Sequence, residues 1–294
     1  MSTSPRHRGP APDEGSEESP QIPPAMVIAA FEGWNDAGSA ASAALDQLAT
    51  EWDAREATRL DVDTFHDFQV NRPMISTDTD GNRVLTWPAT TISVTASPQR
   101  GRRVVLVQGV EPSMRWREYC RQVLDAVEEL GATTLVCVGA LLADVPHTRP
   151  IPVQTSSDDP RVQALLDVET SEYEGPTGIT GVLTHLATER GMHSLNVWAA
   201  VPHYVAQPPS PKATLALLTA LEELLGEPVP MGELPEDAKA WQDGVDELAG
   251  EDPEVAEYVR QLEQAKDTAE LPEASGEAIA REFEKYLRRR DSGH

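Results

Sequence analysis

The chain has 294 residues, of which 39% are hydrophobic and 25% charged, and a formal net charge of -25, the composition of a soluble globular protein. That charge argues against a nucleic-acid binder, which needs a basic face to neutralise phosphates. Apolar runs fall short of the ~20 residues that span a bilayer. The two cysteines, Cys120 and Cys137, are too few for a disulfide framework and lack Cys or His neighbours at zinc-ligand spacing. The expectation is a cytoplasmic protein with no metal, no cofactor, and neither membrane nor nucleic acid as partner.

Residues 1–24 are rich in Ser, Pro, Glu and Gly without an apolar core, which reads as a flexible tail and not as a signal peptide. The first strand follows at Val27-Ile-Ala-Ala-Phe31. It breaks at Gly33 and Asn35-Asp36, and a helix of Ala and Leu runs from Gly38 to Leu48. Arg59 to Phe65 reads as a short strand leading into a loop through Pro73. Val84 to Val94 reads as β structure interrupted by Pro88, with a turn signalled by Asp80-Gly81. Val104-Val-Leu-Val107 is a continuous apolar strand of the kind a buried parallel sheet requires. A helix from about Ser113 to Leu130 ends at Gly131, and Leu135 to Val138 forms the next strand, ending at Gly139. Cys137 lies inside that strand and is expected to be a small core residue.

A Pro-rich passage, Asp144 to Val153, comes next. Glycines between Gly175 and Gly181 precede a helix that Gly191 closes. Leu195 to Val201 is another strand, and Lys212 to Leu225 an amphipathic helix. This alternation predicts an α/β domain over residues 25–226, with a mostly parallel sheet covered on both faces. Residues 227–294 turn acidic and strand-free. Two helices are expected there, one from Pro253 aligning Val255, Val259 and Leu262, and one after Ser275 aligning Ile279, Phe283, Tyr286 and Leu287. Their apolar stripes predict a subunit interface and hence a homo-oligomer.

In such a sheet the loops leaving the strand C-termini share one edge, where α/β folds gather ligands. They bring Glu32, Asn35 and Asp36 together with Glu111 and Arg115, then Asp144, His147 and Arg149, then Thr177, Gly178, His203 and Tyr204. Each has a plainer role beside a chemical one. Asn35 and Asp36 suit helix capping, and His147 suits a loop residue bonded to backbone. Gly175 to Gly181 suits either an anion-binding helix start or a tight entry into a packed helix; it is not a Walker A motif. Ser39 and Ser42 lack a nucleophile elbow, and Trp34 and Trp116 are expected to pack.

Five blocks in order resemble one family: Phe31-Glu-Gly-Trp-Asn-Asp-Ala-Gly38, Gly109-Val-Glu-Pro-Ser-Met-Arg-Trp116, Leu142-Ala-Asp-Val-Pro-His-Thr-Arg-Pro150, Tyr173-Glu-Gly-Pro-Thr-Gly-Ile179 and Val201-Pro-His-Tyr204. This is the family named after the second proteasome assembly chaperone, in its actinobacterial branch. The resemblance implies a phosphorylase/hydrolase-like three-layer α/β/α fold with a mixed sheet, self-association into a homo-oligomer such as a trimer, and binding to proteasome subunits. One departure stands out. Proteasome-docking proteins commonly end in a hydrophobic residue, Tyr and one last residue, whereas this sequence reads Arg289-Arg-Asp-Ser-Gly-His294. The competing expectation is an enzyme acting on a small polar or phosphate-bearing substrate, of the ATP-dependent carboxylate–amine ligase or phosphorylase/hydrolase-like kind. A carboxylate or His147 would then serve as base, with Arg149 holding an anionic group; no phosphate-gripping lysine or Gly-rich ATP loop supports it.

Overall fold

The computed structural model describes residues 26–96 and 103–269. A seven-stranded mixed sheet lies at its centre. Four strands run parallel in the order β6 (Arg103–Val110), β1 (Met26–Glu32), β7 (Thr134–Ala143) and β9 (His193–Pro202). Antiparallel strands flank this block. β5 (Thr90–Ala96) pairs with β6 and carries β2 (Arg55–Arg59) outside it, and β8 (Val153–Ser156) pairs with β9 at the other edge.

The parallel strands are apolar on both sides because helices cover both faces. Along β1, Met26, Ile28 and Ala30 join one core with α1 (Ala40–Glu51) and α6 (Pro211–Leu225). The alternate residues Val27, Ala29 and Phe31 join a second core with α3 (Trp116–Glu129) and α5 (Ile179–Glu189). The period of two in a strand thus divides one segment between two cores, and the result is a three-layer α/β/α domain. Cys120 and Cys137 belong to the second core, where burial pushes both thiols up to about 12, as suits structural cysteines.

Several elements differ from the sequence reading. Residues 62–65 form a helical turn, α2 (Val62–Phe65), because Asp61 caps it by accepting from the Asp63 amide and the Thr64 hydroxyl; the strand lies earlier, at β2. β7 continues through Gly139 to Ala143, held by parallel pairing with β9 as far as Pro202. The hairpin of β3 (Met74–Thr77) and β4 (Arg83–Thr86) forms a separate two-stranded sheet, in which the Asp78 carboxylate organises the turn around Gly81 by accepting from the Asn82 amide at 2.7 Å. The Pro-rich stretch and its sequel contain β8 and a short helix α4 (Pro160–Leu166) started by Asp159.

The acidic region holds α7 (Leu234–Glu251) as well as α8 (Pro253–Ala269). Asp252 starts α8 by accepting from the Glu254 amide at 2.8 Å. The expected positions Val259 and Leu262 are buried, as are Val245 and Ala249 of α7. They are covered within the chain, as α8 packs on α7 and α7 on α6. The apolar face of α8 therefore gives no reason to invoke a second subunit, correcting that part of the expectation. The helix expected after Ser275 lies outside the described residues. No described helix is long and apolar enough to cross a membrane.

Candidate functional site

Because β1, β6, β7 and β9 are parallel, their C-terminal ends place the loops at residues 33–36, 111–115, 144–149 and 203–204 along one edge. There the expected residues separate into two hydrogen-bonded groups and an open groove.

The first group joins β1, β6 and α5. Asn35 is buried, and its backbone carbonyl accepts from the Ala140 amide of β7 at 2.9 Å. Its Nδ2 donates to Glu111 Oε1 at 2.8 Å, and its Oδ1 accepts from the Thr180 hydroxyl at 3.1 Å. The same Glu111 oxygen accepts from the Ile179 amide at 2.8 Å. The start of α5, which the glycine-rich loop offered to an anionic ligand, thus receives an anion from the chain itself. Gly178 is the residue this packing demands, since a Cβ there would overlap Asn35 Oδ1. The plainer reading of that loop, a tight entry into a packed helix, describes the geometry.

Asp36 serves α1. Its Oδ1 accepts from the Ala41 amide at 2.7 Å and its Oδ2 from the Ser42 hydroxyl at 2.5 Å. Burial raises its pKa, opposed by these hydrogen bonds. Asn35 is not a helix cap; it cross-links loops instead. Arg115 is exposed with φ 56°, at the entry to α3, and Thr177 is exposed beside Gly178. Neither joins the first group. Trp34, expected to pack, is 66% exposed, whereas Trp116 packs against the second core.

The second group fastens α7 and α8 to the ends of β7 and β9. His147 is 1% exposed. Its backbone amide donates to the Tyr204 hydroxyl at 2.7 Å, and that oxygen also lies 2.7 Å from Nδ1, while Nε2 lies 3.0 Å from Asp246 Oδ1. A consistent assignment has Tyr204 donating its proton to Nδ1 and Nε2–H donating to Asp246. Desolvation lowers the His147 pKa despite the raising effect of Asp246, which favours the neutral ring. Burial likewise pushes the Tyr204 hydroxyl up to about 12. Lys212 Nζ donates to the His147 carbonyl and to Gln242 of α7. Arg149 grips Asp267 of α8 through Nε at 2.9 Å and Nη2 at 2.8 Å, and reaches Glu263 at 3.2 Å. Asp144 pairs with His203 at 3.1 Å and accepts from Tyr258 at 3.3 Å, while the rings of His203, Tyr204 and Tyr258 stack edge to face. The groups a substrate would need from His147 and Arg149 therefore hold the chain's own helices.

The groove lies beside Glu32. It has a volume of about 710 Å³ and runs between the β3–β4 hairpin and the ends of β1 and β6. Strand β1 and helix α1 contribute Glu32 and Asp46 to its lining, and the hairpin with its flanks contributes an apolar wall of Val70, Met74 and Trp87. Sequence reading missed this wall and missed Gln242, Asp246, Glu263 and Asp267. The apolar exposed pattern of residues 70–87 was the available signal for the first, and the acid-rich composition of 234–267 for the second. Among the described residues no group of three His, Cys, Asp or Glu side chains is placed to hold a metal.

A three-layer α/β/α protein whose strand-end loops are tied by Asn35, Glu111 and His147 is what these features define. The PAC2 family model matches residues 30–249, and the chain belongs to the PAC2 family. A PAC2 family protein from Streptomyces avermitilis is 53% identical, with 80% of this chain and 99% of that one covered and a TM-score of 0.75. A proteasome-assembly chaperone homologue from Mycobacterium tuberculosis is 46% identical over 80% and 99% of the two chains, at a TM-score of 0.72. An archaeal proteasome activator from Pyrococcus furiosus shares the fold, with a TM-score of 0.63 at 19% identity over 79% and 96%. No curated protein matches the chain.

Proposed function

We propose that this chain is a protein-binding chaperone of the proteasome-assembly type, acting in the cytoplasm as a homo-oligomer on proteasome subunits. The observation that carries this reading is the 46% identity, over nearly the whole partner chain, to a protein described as a proteasome-assembly chaperone homologue. The site geometry agrees with it. Glu111 and Asn35 satisfy one another and α5, and His147 and Arg149 are bonded to α7 and α8. An enzyme would leave such groups facing a substrate. The net charge of -25 suits a partner with a basic surface, because complementary fields speed encounter.

The test is affinity capture of the tagged full chain in its native cell, repeated with purified proteasome α-subunits. Recovery of α-subunits in near-stoichiometric amount supports the reading. Their absence, together with a small molecule co-purifying with the protein, overturns it in favour of the enzyme. Sedimentation equilibrium of the full chain reads out the self-association.

A further inference from the structure

We propose that the groove between the β3–β4 hairpin and the ends of β1 and β6 docks an extended segment of a partner protein in which apolar side chains alternate with Lys or Arg. The proposal deepens the chaperone reading and rests on it for the identity of the partner, though not for the chemistry of the groove.

The first observation is where the apolar surface lies. Val70, Met74 and Trp87, which line the groove together, are 72%, 68% and 45% exposed, three of the twelve exposed large hydrophobics of the described residues. Isolated apolar residues at a surface need no explanation, but a contiguous patch marks an interaction site. All eight residues of β3 and β4 are exposed, so the hairpin has no core beneath it. A lone two-stranded hairpin is marginal in water, and this one stands beside a groove that it helps to wall. Within the described residues each of its strands pairs only with the other, which leaves backbone edges open to an added strand.

The second observation is charge. The lining that holds Met74 and Trp87 also carries Glu32 and Asp46, and Asp36 is near enough to act on Glu32. The side-chain partner of Asp46 is neutral, Gln108 at 2.8 Å. Removal from water and mutual repulsion with Asp36 and Asp46 raise the Glu32 pKa, as expected of carboxylates gathered without enough positive charge. Arg72 is the one basic residue lining the groove among those described. A cationic side chain laid against Glu32 and Asp46 would relieve that repulsion. Trp87, braced edge to face by Phe68 at 4.8 Å, offers an aromatic surface for its stem or charge. A second copy of the chain would bring another -25 charges to the same place, and an acidic segment would meet the same repulsion. The basic, apolar-alternating segment is the occupant that both walls fit.

The experiment uses the full chain and two synthetic octapeptides, one alternating Leu with Lys and one alternating Leu with Glu. Binding is followed by fluorescence anisotropy of the labelled peptides and by hydrogen exchange of the protein. The Leu–Lys peptide is expected to bind, to protect residues 70–89, and to lose about ten-fold in affinity in the E32Q/D46N double variant. Met74→Ser, at an exposed hairpin position that lines the groove, is expected to lower binding as strongly while leaving thermal stability unchanged. Equal binding of both peptides, protection confined to other regions, or indifference to both variants overturns the proposal. So does a self-associated state that Met74→Ser dissolves and the Leu–Lys peptide does not, because the face is then an interface between copies. Proteasome α-subunits run in parallel separate the two claims. If they bind the chain without protecting residues 70–89, the groove proposal fails and the chaperone reading stands. If the peptide binds as expected and the α-subunits do not bind at all, the reverse holds.

Discussion

Glu111 Oε1 accepts from Asn35 Nδ2 at 2.8 Å, and through its second bond, to the Ile179 amide, it fixes the exits of β1 and β6 to the start of α5. One carboxylate thereby does for α5 what a capping side chain does for other helices. Glu111→Ala takes the acceptor from the Asn35 Nδ2 and from the Ile179 amide. Leaving such groups unsatisfied costs about 1–3 kcal/mol each, so a loss of about 2–6 kcal/mol is expected in chemical denaturation. Glu111→Gln, which keeps an acceptor oxygen, is expected to lose less. A change within experimental error for Glu111→Ala would show that the network is not structural.

Gly178→Ala tests the same junction by shape. The added methyl overlaps Asn35 Oδ1, so the loop must shift, at a cost of about 1–3 kcal/mol typical of overpacking. Thr177→Ala, one residue earlier and exposed, is expected to stay within about 0.5 kcal/mol of the parent. Thermal melts of the two variants side by side check the contrast.

The pH dependence follows from His147. Its folded pKa lies below 6.5 because of burial, so the unfolded chain binds the proton more readily than the folded chain. Its contribution to stability is therefore fully present above about pH 6.5, and is lost as the pH falls below that value toward the folded pKa. His66, also buried with a lowered pKa, acts in the same direction. Protonation at Nδ1 displaces the proton that Tyr204 donates there, so the buried Tyr204 hydroxyl must turn from donor to acceptor. Melting temperatures taken from about pH 7.5 down to about pH 5.5 are expected to fall, and His147→Gln to fall less steeply while starting lower. A parallel pH slope for the variant would refute this assignment.

Arg149→Met removes the paired hydrogen bonds to Asp267 and the reach to Glu263 while keeping an apolar stem. Arg149 and Asp267 are both partly exposed, so the global melting temperature should change little. The effect should appear locally, as faster hydrogen exchange and earlier proteolytic cleavage across α8. Unchanged exchange in α8 would mean that Val259 and Leu262 hold the helix without this contact.

Much of the architecture was legible in short apolar runs. Val27 to Phe31, Val104 to Val107 and Leu135 to Val138 are strands because both sheet faces are covered, and continuous hydrophobicity reports that directly. Where a strand is held by its neighbour, local composition falls silent. β7 passes through Gly139 because β9 pairs beside it, and β8 is four residues of mixed character at an edge. α7 was hidden by Pro235, Gly244 and Gly250, and by an acidic face that resembles a solvated linker. The candidate site was legible as a set of loops on one edge. Its division was not, because the partners of His147 and Arg149 lie about a hundred residues further along the chain, in helices whose docking depends on packing.

The central claim, that the chain binds and assists proteasome subunits, is tested most directly by native mass spectrometry. The full chain is mixed with purified proteasome α-subunits, and the rate at which α-rings form is followed with and without it. The account predicts a defined complex of the two proteins and faster ring formation. No complex and an unchanged rate, with the chain folded and at equal concentration, would contradict it.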